Sequence, residues 1–232
     1  MSNLNKEYSI ESYSERRAER EWMVHTQLVS RDITDETVIN SMSLVPRHKF
    51  VREDKQDLAY YDTPLEIDSG QTISQPYIVA LMAQALRLKA SDRVLEIGTG
   101  SGYSAAILSR IALRVYTIER HQVLASLAEE RFRNQGYKNI EVRVGDGTLG
   151  WQEKAPFDAI LVTAGGPVIP DPLLDQLAVG GRLLIPVGER GEQSLLRLKK
   201  TMSGKLITED LGGVRFVPLI GMRGWDERIK NS

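Results

Sequence analysis

From about residue 91 onward the chain alternates short β-branched runs with helical stretches, and this alternation restricts the possible folds more than any other feature of its 232 residues. "RVLEI", "RVYTI", "IEVRV", "FDAILVT" and "RLLIPV" read as strands. Between them the periodicity predicts a helix after Tyr103, another ending before Gly136 and a third through "PLLDQLA". Strands separated by helices of this length build βαβ units, hence an α/β fold with a doubly wound, parallel sheet covered on both faces. Beyond Gly188, "SLLRLKK", "LITEDL" and "VRFVPL" follow without intervening helices, which predicts antiparallel strands added at the sheet edge. Upstream, residues 14–45 predict an N-terminal helical cover of two helices. Trp22, Leu28 and Val29 share one apolar pattern; Val38, Ile39, Met42 and Val45 share a second, opened by Thr34 as N-cap and closed by Pro46. The length suits one domain with a single large core, spanning 1–232: helices and a polar strip in 1–90, the alternating strand-and-helix core in 91–190, and C-terminal strands in 191–232.

Composition excludes several classes of function. A formal net charge of -1 gives no electrostatic argument for nucleic acid or for an anionic membrane, so neither is expected as a partner. The absence of cysteine rules out disulfides and thiolate metal sites, and three scattered histidines (His25, His48, His121) argue against an imidazole cage; no metal is expected. The N-terminal residues are polar and lack an apolar core before a small-residue cleavage site. No apolar run approaches the roughly 20 residues of a membrane span. The expectation is a cytoplasmic protein.

The chemistry is concentrated in "VLEIGTGSGYSAAIL", where a strand, a glycine-rich turn and a helix follow in direct succession and bring backbone N–H groups close to a ligand. Gly98, Gly100 and Gly102 are spaced G-x-G-x-G. The dinucleotide fingerprint wants its third glycine one position later, where this chain has Tyr103, so a pyrophosphate is disfavoured. The second strand ends in Glu119, about 20 residues beyond the first glycine, where a carboxylate accepts hydrogen bonds from ribose hydroxyls. "VGDG" after the third strand puts Asp146 at the sheet's carboxyl edge, within reach of an adenine amino group. Glu96, at the end of the first strand, suits an ammonium group or a water-bridged contact. Together these residues are what S-adenosylmethionine needs, with Thr99, Ser101 and Gly147 completing the cofactor set. The competing reading is a bare strand-to-helix connection with surface carboxylates, and "GDG" is also an ordinary turn.

These motifs resemble the class I S-adenosylmethionine-dependent methyltransferases. "GQTISQPYIVALM", with "VPRHKFV" upstream and "VRFVPLIG" downstream, is similar to the protein-L-isoaspartate O-methyltransferase family, over residues 20–225 or so. The resemblance implies a Rossmann-like methyltransferase sheet with rearranged C-terminal strands. It implies methyl transfer to the carboxylate of L-isoaspartyl residues in damaged proteins and peptides, followed by succinimide formation and partial return to aspartate. It also implies an active-site strip of Thr72, Ile73 and Ser74, with Ser74 nearest the reacting carboxylate, and substrate contacts from Val214 and Phe216. Glu66 and Asp68 make this strip more acidic than the family pattern. A class I methyltransferase acting on another carboxylate acceptor, or a nucleotide-binding module without catalysis, are the alternatives; a monomer is favoured.

One compositional oddity supports the strip's role. No Lys, Arg or His occurs between Lys55 and Arg87. A carboxylate acceptor is ionised at neutral pH and needs no general base; it needs position, which is worth roughly 7 to 11 kcal/mol. A cation gripping it would stabilise the charged ground state more than a transition state in which that charge is being neutralised, so neutral hydroxyl and N–H donors serve better. The competing reading makes Ser74 the N-cap of a helix opened by Pro76. His48 is expected to be structural, and Ile78, Leu81, Met82 and Ala85 to face the core.

Overall fold

The computed structural model describes residues 15–227. The expectation of a polar, leaderless N-terminus, and the start of the first predicted helix at residue 14, lie outside the described residues.

Helix α1 (Arg17–Met23) continues into a π-helical turn, Val24–Leu28, and a 3-10 turn, Val29–Arg31. The buried apolar residues of this segment are Met23, Val24 and Leu28; Trp22 (51% exposed) and Val29 (42%) face outward, so the predicted apolar stripe is rotated from the real one. The widened turn shifts the register on which a 3.6-residue period relies. Helix α2 (Glu36–Leu44) is capped by Asp35, whose Oδ1 accepts from the N–H groups of Thr37 and Val38, and not by Thr34. A small antiparallel hairpin follows, β1 (Leu65–Glu66) with β2 (Thr72–Ile73), and then α3 (Pro76–Leu86).

The sheet comprises β3 (Arg93–Ile97), β4 (Arg114–Glu119), β5 (Ile140–Val144), β6 (Phe157–Val162), β7 (Leu177–Glu189), β8 (Glu192–Lys200) and β9 (Leu206–Val214). Their order is β5-β4-β3-β6-β7-β8-β9. The first five strands in that order are parallel, and β8 and β9 are antiparallel additions at one edge. Helices α4 (Tyr103–Ile111) and α5 (Gln122–Asn134) make the crossovers among β3, β4 and β5. The predicted helix through "PLLDQLA" is only α6 (Asp171–Asp175), because β7 already begins at Leu177. "VRFVPL" is not a strand: β9 ends at Val214, and beyond it only isolated bridges tie Pro218 to Gly165 and Ile220 to Trp225.

Alternate residues of each central strand enter different apolar clusters, as a sheet covered on both faces requires. Val94, Val115, Ala159 and Leu184 pack with Met23, Phe50, Leu86 and Ile107 on one face. Leu95, Tyr116, Ile160 and Leu183 pack with Trp151, Phe157 and Leu173 on the other. The strand order reverses at β3, with β4 on one side and β6 on the other. A crevice therefore opens above the carboxyl ends of these strands.

Candidate active site

That crevice is a cavity open to solvent at its mouth. One wall is the turn that leaves β3. Gly98 donates its N–H to the Ile118 carbonyl (2.9 Å), and Thr163 Oγ1 donates to the carbonyls of Ile97 and Gly98 (3.0 and 2.8 Å). Gly100 donates its N–H to Glu119 Oε2 (2.9 Å), and His121 donates its own to Glu119 Oε1 (3.0 Å). Each oxygen of this nearly buried carboxylate thus has one backbone partner and a lone pair in reserve. Gly98, Thr99, Gly100, Ser101, Glu119 and Gly147 all line the cavity.

Glu96 and Gly102 lie behind this wall and do not line it. Glu96 is fully buried; its Oε2 accepts from Thr117 Oγ1 (2.6 Å), which is bonded in turn to Thr99 Oγ1 (2.7 Å), and its Oε1 has no partner among the described residues. Burial pushes its carboxyl up to about 7; hydroxyls of Thr117 and Ser104 oppose the shift and Glu119 adds to it. Asp146 also lies outside the main cavity, on a shallow recess shared with Arg120 and Trp225. Its Oδ1 accepts from Thr148 N–H and Oγ1 (2.9 and 2.6 Å), and its Oδ2 from Met222 N–H (2.7 Å), so its bonds within the chain serve a turn and a tether.

The opposite wall is the polar strip. The β1–β2 hairpin brings Gln71, Thr72 and Ile73 to the cavity, with Ser74 immediately after. Ser74 is half-buried, and its hydroxyl makes no hydrogen bond to a described residue. The capping reading does not hold: the N-cap of α3 is Gln75, without a side-chain cap, and the Tyr77 N–H bonds to Asp62 instead (2.8 Å). Arg120 and His121, brought in from beyond β4, also line the cavity, so the cation-free stretch does not make a cation-free site. Arg120 is paired with Glu227 at 2.8 Å. His48 is buried with Nδ1 2.6 Å from the Tyr60 hydroxyl, away from the cavity, and burial pushes its imidazole down to about 4.

Val214 and Phe216 do not reach the cavity. Phe216 donates its N–H to Gln193 Oε1 (2.9 Å), and both side chains pack against the core. Val217, Pro218, Leu219 and Ile220, which the sequence reading missed, form the third wall. They open a strap, residues 217–227, fastened on both sides. Gly165 donates to the Val217 carbonyl and accepts from Leu219 (both 2.8 Å), and Trp225 Nε1 donates to the Gly165 carbonyl (3.0 Å). The "VRFVPLIG" segment carried the signal for this wall, but its closing residues rather than its opening ones meet the cavity. No group of His, Asp or Glu suited to a metal occurs among the described residues.

Comparison with known proteins gives a consistent result. Residues 18–224 match the family model described as protein-L-isoaspartate(D-aspartate) O-methyltransferase. A protein-L-isoaspartate O-methyltransferase of Pelobacter propionicus is 57% identical over 89% of this chain and 92% of its own. One from Geobacter metallireducens is 54% identical over 89% and 95%. A solved protein-L-isoaspartate O-methyltransferase superposes with a TM-score of 0.80 at 27% identity, over 90% of this chain and 67% of that one. A structure titled as a putative enzyme of this kind from Plasmodium falciparum, in complex with S-adenosyl-L-homocysteine, gives 0.74 at 28% identity, over 87% and 98%.

Proposed function

This chain belongs to the protein-L-isoaspartate(D-aspartate) O-methyltransferase family, and on that premise we propose how its own residues divide the work. It is an S-adenosylmethionine-dependent repair methyltransferase that acts on the free carboxylate of L-isoaspartyl residues in damaged proteins and peptides. The cofactor, when bound, supplies a methyl group on a cationic sulfur.

The residues present fit that cofactor. Glu119 has an unused lone pair on each oxygen for ribose hydroxyls, Gly100 leaves its side of the cavity open, and behind that wall Glu96 Oε1 is a buried acceptor without a partner among the described residues. Gly98, Thr99, Ser101 and Gly147 shape the wall around it, Gly102 lets the turn behind that wall pack against Phe132, and Asp146 holds the strap beside it. Ser74 orients the acceptor carboxylate, with Thr72 and Ile73 beside it; Val214 and Phe216 would meet only the flanks of a longer peptide. The observation that carries this reading is Ser74, which lines the cavity with a hydroxyl that makes no hydrogen bond to a described residue. It donates to the carboxylate and fixes its direction, while ionisation at neutral pH makes a base unnecessary. The family resemblance and the net charge of -1 support one catalytic domain acting as a cytoplasmic monomer, without nucleic-acid or membrane partners. No helix among the described residues is long and apolar enough to cross a membrane.

The test offers methyl-labelled S-adenosylmethionine with two peptides that differ only in aspartate against isoaspartate. Base-labile label should appear on the isoaspartyl peptide alone. Ser74→Ala should lower turnover by about 10- to 150-fold, the value of one hydrogen bond to a charged group, with little change in cofactor affinity. Equal labelling of both peptides, or a fully active Ser74→Ala, defeats the respective claim.

A further inference from the structure

The helix that follows Ser74 does not cap itself. Gln75 occupies the N-cap position without a side-chain cap, and Pro76 has no N–H to offer. The first free N–H belongs to Tyr77, and it is taken by Asp62 Oδ1 at 2.8 Å. Asp62 Oδ2 accepts from Gln75 Nε2 (2.6 Å) and from Arg31 Nη1 (2.7 Å). One carboxylate, only 16% exposed, therefore holds the residues on both sides of Pro76, immediately after Ser74.

Asp62 is itself held with care. It sits at the apex of a three-residue turn closed by Thr63 N–H to the Tyr61 carbonyl (2.9 Å). The buried Arg47 brackets that turn, donating from Nε to the Ala59 carbonyl (2.8 Å) and from Nη2 to the Thr63 carbonyl (3.4 Å). Tyr77 is fixed a second time. Its ring lies 3.5 Å from the Arg31 guanidinium carbon, and its hydroxyl donates to Asp32 Oδ1 (2.8 Å). Asp32 adopts φ 124°, a strained backbone for a residue with a side chain, and its carbonyl is held by Gln84 Nε2 (3.1 Å). None of Arg31, Asp32, Asp62 or Tyr77 lines the cavity.

We propose that Asp62 is a positioning residue for the acceptor: by capping α3 from outside the helix it fixes the direction of the Ser74 hydroxyl and leaves that hydroxyl free for substrate. The proposal rests on the reading of Ser74 given above. If Ser74 capped its own helix, its oxygen would be committed to a backbone N–H. Moving the cap to Asp62 separates the structural task from the catalytic one, and a misplacement of about 1 Å at such a site costs on the order of 100-fold in rate.

The experiment measures kcat, KM for an isoaspartyl peptide, calorimetric affinity for S-adenosylhomocysteine, and melting temperature. Asp62→Ala should lower kcat by about 10- to 100-fold with cofactor affinity within twofold of wild type. Asp62→Asn, which keeps an acceptor for the Tyr77 N–H, should recover most of the loss. Asp62→Glu keeps the Arg31 ion pair and the melting temperature but displaces the helix end by a methylene, so its kcat should fall; this variant carries the test if Asp62→Ala does not fold. In a Ser74→Ala background, Asp62→Ala should cost less than a further twofold, because both changes remove one function. If Asp62→Ala and Asp62→Glu turn over like wild type while Ser74→Ala is impaired, the positioning role is wrong and the Ser74 reading stands. If the double variant shows the product of the single effects, Asp62 does not act through Ser74. A fully active Ser74→Ala removes the hydroxyl reading and the route by which Asp62 is argued to act.

Discussion

A methyl group added at Gly98 would lie 2.4 Å from Thr163 Oγ1, and one at Gly102 would lie 2.7 Å from the Phe132 ring, whereas at Gly100 it would meet only Ile67 Cδ1, at 3.6 Å. The three glycines of one motif therefore answer to different constraints. Gly98 and Gly102 are required by packing against Thr163, just past β6, and against α5. Gly100 faces the cavity, and its φ of 52° makes a side chain there moderately strained. Gly102→Ala should accordingly destabilise the fold by a few kcal/mol, about the cost of overpacking. Gly100→Ala should cost only about 1 kcal/mol of stability yet weaken S-adenosylhomocysteine binding severely. Thermal melts paired with calorimetric titration separate the two; equal losses of stability would mean that Gly100, too, is an architectural glycine.

The strap is the element whose sequence revealed least. Residues 217–227 form no regular structure beyond isolated bridges, and their order comes from partners far away in the chain: Asp146, Thr148, Gly165 and Arg120. Asp146→Ala removes the acceptor of the Met222 N–H and of both Thr148 donors. Amide exchange across 217–227 should then accelerate, and cofactor affinity should fall by about tenfold for the loss of one charge-assisted tether. Unchanged exchange would mean that the other fastenings suffice. The central strands and α3 to α5 were legible because burial on both faces, or on one helical face, leaves a period in the residues themselves. What was not legible is tertiary. Nothing in "SQPY" shows that its cap is Asp62, fifteen residues upstream of the Tyr77 N–H that it accepts. Thr34 and Asp35 are both fitting caps, and Asp35 takes the position in a chain whose Thr34 and Asp35 N–H groups are both held by Gln84 Oε1, far away in sequence. In "VRFVPLIG" the β-branched residues read as a strand, but the chain leaves the sheet at Val214, so it is Val217–Ile220 that turn to the cavity.

Two buried groups, far apart in sequence, act on the stability of the molecule in opposite senses. The His48 imidazole is pushed from 6.5 down to about 4, so the unfolded chain takes up a proton that the folded one refuses; its contribution is lost as pH falls from about 6.5 to 4. The Glu96 carboxyl is pushed from 4.5 up to about 7, so the folded chain keeps a proton that the unfolded one has released; its contribution is lost as pH rises from about 4.5 to 7. Each amounts to about 3 kcal/mol, and over the shared window they nearly cancel. Urea unfolding across pH 4 to 7.5 should show that, relative to wild type, His48→Gln loses stability as pH rises and Glu96→Gln gains it. Profiles parallel to wild type in both variants would show that neither group is displaced as described. The placement of the three tryptophans has an optical consequence. Trp22 stands in solvent and Trp151 lies in the core, but Trp225 is half-buried on the strap, its indole N–H bound to Gly165 and its ring 5.2 Å from the Arg190 guanidinium carbon. The protein thus carries its own fluorophore beside the cofactor cavity, on the segment that Gly165 fastens, without any attached dye.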